Sequence, residues 1–395
     1  MSIASQGRPM SEWAPIFAAT LAALETHGGA ASDEALSVRW NYASALERQH
    51  DIPGALREHL KLFELQRHKF GLGDARTAET MSCVGRDYNQ LFMPRVAARW
   101  LQKALAVEDA TLGADHHATI STILSLAGAL AQQGKVAQAL SWTKRLVATS
   151  DRTLGPENTT TMVSKINVAI LELMAGNTRD AMTQLLRLEA LMADRPTVVD
   201  FLAHVQEALG LAHWADGNVD AAATAFAQAL TNLPCKQMAW SFFRFCATVP
   251  TTALDNWHHV RRYLESTDDP APETWPASCL NCYKPIVGGF VACAACPTGH
   301  FPFCTTCAMR NSARLGTFCT HEPRAFQSQT TLPPRRYFLQ EKLVSIAKAT
   351  ATSFVDLDAA YCAYDAYCAT HDVPRLERLP RMSVEGLNRD WHPML

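Results

Sequence analysis

Four ligand pairs, Cys279-x2-Cys282, Cys293-x2-Cys296, Cys304-x2-Cys307 and Cys319-x-His321, fall within forty-three residues of this 395-residue chain. Thiolate and imidazole are the donors a tetrahedral Zn2+ takes, four to an ion, so eight of them in four pairs are the inventory for two ions. A two-residue spacer lets both sulfurs of a pair reach one metal from a single tight turn. Two other chemistries also use paired cysteines. A disulfide framework belongs to a secreted chain, whereas Met1 to Trp13 carries Arg8 and Pro9 and no apolar signal run. A redox Cys-x-x-Cys normally occurs once beside a βαβ pattern; here the spacing occurs three times in a loop-rich stretch. Neither alternative explains the histidine-containing pair. Closed sites with four protein ligands leave no position for water, so they are expected to build a fold and catalyse nothing. The other cysteines, Cys83, Cys235, Cys246, Cys362 and Cys368, lie in helix-like sequence and read as small apolar residues.

The chain that must position these ligands is long enough for two or three domains. A hydrophobic content of 48% and a net charge of −2 describe an ordinary folded protein, not a disordered tail or a nucleic-acid binder. No apolar run approaches the length of a membrane span. Reduced cysteines and the absence of a targeting segment place the expected location in the cytosol or nucleus.

The first 235 residues repeat. Small residues recur at Ala43, Gly85, Ala127, Ala169 and Gly210, separated by 42, 42, 42 and 41 positions, and Ala55, Ala97, Ala139, Ala181 and Ala222 keep the same steps. Four positions later come Leu101, Leu185 and Phe226, with His59 and Thr143 as exceptions. Two small-residue series in register predict two antiparallel helices per unit, with a close approach in each and the remaining apolar surface buried between neighbouring units. Breaks within units are marked by Gln49-His50-Asp51, Phe92-Met93-Pro94, Gln133-Gly134, Ala175-Gly176-Asn177 and Asp216-Gly217-Asn218. Breaks between units carry Leu72-Gly73, Leu112-Gly113 and Leu154-Gly155.

On these residues the chain resembles the tetratricopeptide family, most clearly at Leu209, Gly210, Ala222, Phe226, Ala229 and Pro234. The 42-residue period and the Leu-Gly entries are similar to the longer, kinesin-light-chain type of repeat. The resemblance implies an all-α solenoid of five repeats over residues 32–234, preceded by a capping helix in 1–31 and followed by a degenerate pair in 235–270. It also implies a peptide or protein bound along the first helices of each pair. Projected onto that face, the early units offer Asn41, Ser44, Glu47, Arg48, Arg86 and Asn89. The later units offer Ile166, Ile170, Leu173, Leu211 and Trp214. Asn41 and Asn167 match the family position whose amide bonds a ligand's main chain; with Arg86 and Asn89 they are the candidate partner-binding residues. The apolar far end is expected to be filled by the chain's own C-terminal helices.

Between the first two cysteine pairs, Pro285-Ile-Val-Gly288 reads as a turn and Phe290-Val-Ala292 as a short strand. Together with Cys279-Leu-Asn-Cys282 and Cys296-Pro297, this run resembles a ZZ-type zinc finger over residues 278–322. Members of that family interleave their sites, which implies one ion on Cys279, Cys282, Cys304 and Cys307 and a second on Cys293, Cys296, Cys319 and His321. Sequential pairing, with Cys279, Cys282, Cys293 and Cys296 on one ion, satisfies the same ligand rule. His300 is a spare ligand in the lengthened loop before Cys304. The family's acidic patch is missing: no Asp or Glu lies between Cys279 and His321, and through Arg336 six Lys/Arg face Glu322 alone, a net of +5. Such a surface repels basic tails and suits an acidic peptide, with phosphate or nucleic acid as further candidates. A MYND finger is also similar, although its third pair has a different spacer; a RING finger closes on a Cys-x2-Cys pair instead of Cys319-x-His321.

After the finger, residues 323–336 read as a stiff linker, and 337–395 as one or two helices and a tail. Leu357, Tyr361, Tyr364 and Tyr367 repeat at helical spacing as a packing stripe. Nothing resembles a nucleotide loop, a catalytic carboxylate dyad or an activated nucleophile, and His116-His117 and His258-His259 sit on helix-like surface. The expected function is a non-enzymatic intracellular scaffold, with one protein partner in the solenoid groove and a second at the finger. The alternatives are a ubiquitin ligase working through the finger and a transcription or chromatin regulator.

Overall fold

In a computed structural model of the chain, the described residues are 10–193, 198–279, 281–292, 302–310, 330–348 and 354–379. They fall in two compact units, Met1–Leu171 and Glu172–Leu395.

The first unit is built of helix hairpins. Helix α1 (Met10–His27) is followed by α2 (Asp33–Arg48) with α3 (Ile52–Phe70), α4 (Ala75–Gln90) with α5 (Pro94–Thr111), and α6 (His117–Gln132) with α7 (Val136–Thr153). Helix α8 (Thr159–Met174) belongs to it apart from its last turn. Short polar side chains start α2, α3 and α4: Ser32 accepts from Ala35 N–H, Asp51 from Gly54 N–H and Asp74 from Arg76 N–H. Helix α1 covers the first hairpin by burying Trp13 and Phe17 against Tyr42, and Arg39 reaches both Glu25 of α1 and Glu58 of α3.

The period has a steric cause. A Cβ added to Gly85 would lie 2.6 Å from Cγ of Leu101, and one added to Gly210 would lie 2.9 Å from the Phe226 ring. The bare backbone of the first helix therefore receives the large side chain of the second. The turn inside each hairpin repeats as well. Its left-handed residue is His50 (φ 61), Phe92 (φ 57), Gly134 (φ 71), Gly176 (φ 86) and Gly217 (φ 79) in succession. Between hairpins the left-handed residue is Gly71, Gly113 or Gly155; the first stands just before the Leu72-Gly73 pair that marks the break. For a residue with a Cβ that conformation costs about 1–2 kcal/mol. Phe92 is 39% exposed and loses little packing on truncation. Phe92→Gly is therefore expected to raise stability by about 1 kcal/mol in urea unfolding; an unchanged or lower midpoint refutes this account of the turn.

The second unit holds α9 (Thr178–Met192), α10 (Val199–Ala215) with α11 (Val219–Asn232), and α12 (Lys236–Thr248) with α13 (Pro250–Ser266). The α12–α13 hairpin occupies the span the sequence marks as a degenerate pair, and its aromatics are core: Trp240, Phe242, Phe243 and Phe245 are buried. Trp214, one of the apolar residues assigned to the inner face, packs edge-on against Phe245, so α12 covers part of the apolar end.

Downstream lie strands β1 (Thr274–Ser278), β2 (Pro285–Val287), β3 (Phe290–Val291) and β4 (Phe303–Cys304), the one-and-a-half-turn helix α14 (Thr305–Arg310), and β5 (Thr330–Thr331). β1 pairs antiparallel with β2, and β3 is central between β4 and β5, also antiparallel. Helices α15 (Pro334–Lys348) and α16 (Phe354–Thr370) follow, then a 3-10 turn at Arg375–Glu377. The stretch read as a linker thus contributes a strand at Thr330–Thr331, where β-branched residues pair with β3, and a helix start at Pro334, where proline suits the first turn.

α15 lays Tyr337 and Phe338 on Phe243 and Trp257. The stripe of Leu357, Tyr361 and Tyr364 is buried against Leu343. Among the described residues no helix is long and apolar enough to cross a membrane.

Candidate functional site

The first cysteine pair is shaped by its own turn. Cys279 N–H donates to the Lys284 carbonyl (2.9 Å), and Tyr283 N–H donates to the Cys279 carbonyl (2.7 Å). Tyr283 closes the loop in a left-handed conformation (φ 61). β3–β4 pairing sets Phe290 opposite Cys304 and so delivers the third pair, Cys304 and Cys307, to the same place. The sulfurs of Cys279, Cys282, Cys304 and Cys307 all lie within 4.8 Å of one another. A tetrahedral ion with Zn–S bonds of about 2.3 Å holds its sulfurs about 3.8 Å apart, so the set fits one such ion with little adjustment. Pairs one and three are grouped, the crossed order. Cys293, Cys296, Cys319 and His321, with the spare candidate His300, lie outside the described residues.

Cys279 is buried and the other three are half-buried. Burial pushes the Cys279 thiol up, but N–H groups of Cys282, Cys304 and Asn281 directed at its sulfur outweigh burial and hold it below the ordinary thiol range. Cys282 and Cys304 are pushed up, by burial first and then by the sulfurs crowded around them. Four thiolates this close repel one another, and a divalent cation at their centre relieves that repulsion.

The candidate partner-binding residues sit on first helices of the first unit. Asn41 of α2 is half-buried and directs its amide to the Ser37 carbonyl one turn back (2.8 Å). Arg86 of α4 donates to Cys83 Sγ (3.0 Å) and lies near Glu47, Glu79 and Asp87. Asn89, one turn further, has a buried side-chain oxygen with no partner among the described residues, and a Cβ added to Gly128 of α6 would lie 3.8 Å from its amide nitrogen. Asn167 is half-buried on α8. The structure thus brings Arg86 and Asn89 together on one turn and leaves Asn41 and Asn167 on separate hairpins.

A buried polar cluster behind this face escaped the sequence reading. His59 Nδ1 and Asp87 Oδ2 meet at 2.7 Å with both side chains fully buried. Burial pushes the Glu47 carboxyl up, with nearby Asp87 adding to the effect. Glu108 is fully buried beside Thr122, whose hydroxyl bonds Ser82 (2.7 Å). The signal was there: His59, with Thr143, interrupts a series whose other members, Leu101, Leu185 and Phe226, are apolar.

The basic count around the finger also changes meaning. Arg336 is fully buried, paired with Glu377 (2.9 Å) and Glu273 (3.3 Å). Arg335 donates to the Leu264 (2.9 Å) and Thr267 (2.5 Å) carbonyls at the end of α13. These two cations are structural, not a surface for an acidic partner.

No model of a known protein family matches the chain, and no curated protein matches it. Solved structures do. The chain is similar to the kinesin light chain nearly identical TPR-like repeats of Podosopora anserina at 19% identity and a TM-score of 0.45, covering 50% of this chain and 94% of that one. It is similar to BtubC (BKLC) from P. vanneervenii at 14% identity and a TM-score of 0.45, covering 54% and 85%. It is similar to YrrB, a TPR protein with an unusual peptide-binding site, at 16% identity and a TM-score of 0.37, covering 55% and 93%. At such identities and scores these neighbours add no argument. The tetratricopeptide-like solenoid class rests on the chain's own consecutive helix pairs and their period.

Proposed function

We propose that the protein is a non-catalytic scaffold: the first helices of its hairpins hold a peptide or protein partner, and a zinc-stabilised, ZZ-like finger engages a second. The observation that supports the first half is the α4 face, where the Asn89 side chain, its oxygen unpartnered, stands beside the side-chain-free position at Gly128, one turn from Arg86. Once the Asn89 side chain turns outward, a ligand main chain supplies the donor that its oxygen lacks in the buried position, and closing that gap is worth about 1 kcal/mol or more. The four converging sulfurs support the metal of the second half. Zn2+ is the proposed ion because thiolates at tetrahedral spacing favour it. A second Zn2+ on Cys293, Cys296, Cys319 and His321 completes the crossed pair.

Peptides selected from a random display library on the full chain provide the test. They are expected to lose about tenfold or more in affinity for Asn89→Ala and Arg86→Glu variants. Selected peptides that bind both variants as tightly as the parent would refute the α4 face. With ubiquitin-activating and ubiquitin-conjugating enzymes, the purified protein is expected to build no chains; robust chains put the ligase reading first.

A further inference from the structure

Glu377 is remote in sequence from the cysteines, yet its carboxylate lies against the finger. Oε2 accepts from Gly289 N–H (3.1 Å) and from Arg336 Nη2 (2.9 Å), while Oε1 accepts from the Thr305 hydroxyl (3.5 Å). Gly289 precedes β3, and Thr305 stands between Cys304 and Cys307, so one carboxylate bridges both halves of the four-sulfur site. The space is shaped for it. Gly288 adopts φ 78, and a Cβ there would sit 2.7 Å from Glu377 Oε2. Arg336 is held from its other side by Glu273, itself fixed by the Tyr367 hydroxyl (2.8 Å) and, through its carbonyl, by Gly288 N–H (2.8 Å). The residues around Glu377 belong to the C-terminal pair: Leu379 N–H donates to the Tyr364 hydroxyl (3.1 Å), and Arg378 donates to the Val373 carbonyl (2.8 Å).

We propose that the finger carries a carboxylate socket, made by Gly289 N–H, the Thr305 hydroxyl and the Arg336 guanidinium, with Glu377 as its tethered ligand. The socket links metal occupancy at Cys279, Cys282, Cys304 and Cys307 to the docking of α15 and α16. Without the ion, the loops that supply Gly289 and Thr305 lose their shared anchor, and Glu377 loses two of its three donors. Glu377 is then left with Arg336 alone, a partly buried carboxylate short of donors, which weakens the docking of the C-terminal helices. The coupling runs both ways, since what stabilises the docked helices also favours the metal-bound finger. This rests on the metal half of the proposed function.

The test is hydrogen exchange on the full chain with Zn2+, after chelation, and in Glu377→Ala and Thr305→Val variants. Chelation and Glu377→Ala are each expected to speed exchange across 334–348 and 354–370 by about tenfold or more, while helices of residues 33–153 are unchanged. Thr305→Val, a milder change that keeps the carboxylate, is expected to give a smaller increase. Glu377→Ala leaves a carboxylate-sized hole lined by donors, so sodium acetate is expected to restore protection where equal sodium chloride does not. A chain that binds Zn2+ but shows the same C-terminal exchange with and without it overturns the coupling. Failure of acetate to rescue overturns the socket. A chain that takes up no Zn2+ at all refutes the metal reading itself.

Discussion

Cys304→Ser is expected to abolish the proposed metal uptake at the four-sulfur site and to lower the unfolding temperature of the second unit by about 10 °C or more, leaving the first unit's transition in place. Structural zinc contributes on the order of 10 kcal/mol to the folding of small zinc modules, because no preformed site exists in the unfolded chain. Here the modules around the site supply part of that stability. Trp275, Phe290, Ile286 and Phe303 are all buried, and Trp275 packs against Trp240 and Phe243 of α12. The expected loss is therefore a fraction of the full metal term. Cys304 is the informative position because β4 holds it opposite Phe290, so serine keeps the strand and removes only the ligand. Metal content of the purified chain checks the stoichiometry, and Co2+ or Cd2+ substitution should show a thiolate charge-transfer band that the variant lacks. Acid should release the ion, since thiolates bind it and thiols do not. Full metal content in Cys304→Ser would place the ion elsewhere.

The second large effect is in the first unit and runs against the usual expectation that acid destabilises. Burial pushes the Glu108 carboxyl up to about 7, opposed by the Thr122 hydroxyl and reinforced by Glu79 and Asp109. The unfolded chain releases this proton near the ordinary value of 4.5. Between the two values the folded state keeps a proton that the unfolded state has lost, so stability is greatest below the unfolded value. It then falls as pH rises toward neutrality, by about 3 kcal/mol at most. Glu108→Gln stays neutral at every pH and keeps the shape. The variant is expected to flatten this part of the profile and to exceed the parent by about 1–3 kcal/mol at pH 8, with little difference near pH 4. Parallel urea-unfolding profiles for the two proteins across that range would exclude Glu108 as the titrating group.

Much of the solenoid was legible because its determinants are local. A helix hairpin places Gly85 against Leu101 and Gly210 against Phe226 within one repeat, so a single period in the sequence reports a contact in space. The break at Leu72-Gly73 was legible and lies between α3 and α4, but its left-handed residue is Gly71, and only backbone conformation tells the two glycines apart. Ligand grouping is a different case. Spacing alone allowed crossed or sequential pairing, and the choice is made by β3–β4 register, which no cysteine count contains. Arg336 was read as a surface cation because composition treats all arginines alike. Its burial depends on Glu273 and Glu377, one on each side of it in the chain and both distant from it. His59 and Glu108 were invisible as a set for the same reason: their partners come from neighbouring helices.

The α12–α13 hairpin has consequences for how this protein can change in length. One side of α12 receives Phe226 of α11 through Phe242 and Phe245, while Phe243, Trp240 and Trp257 are taken by Trp275, Tyr337 and Phe338. Hairpins upstream recur at a 42-residue step. The last hairpin is a terminator with two unlike sides, and a block inserted after it would meet a surface already committed to strands and an aromatic helix. Extension of the array past this hairpin is thereby blocked.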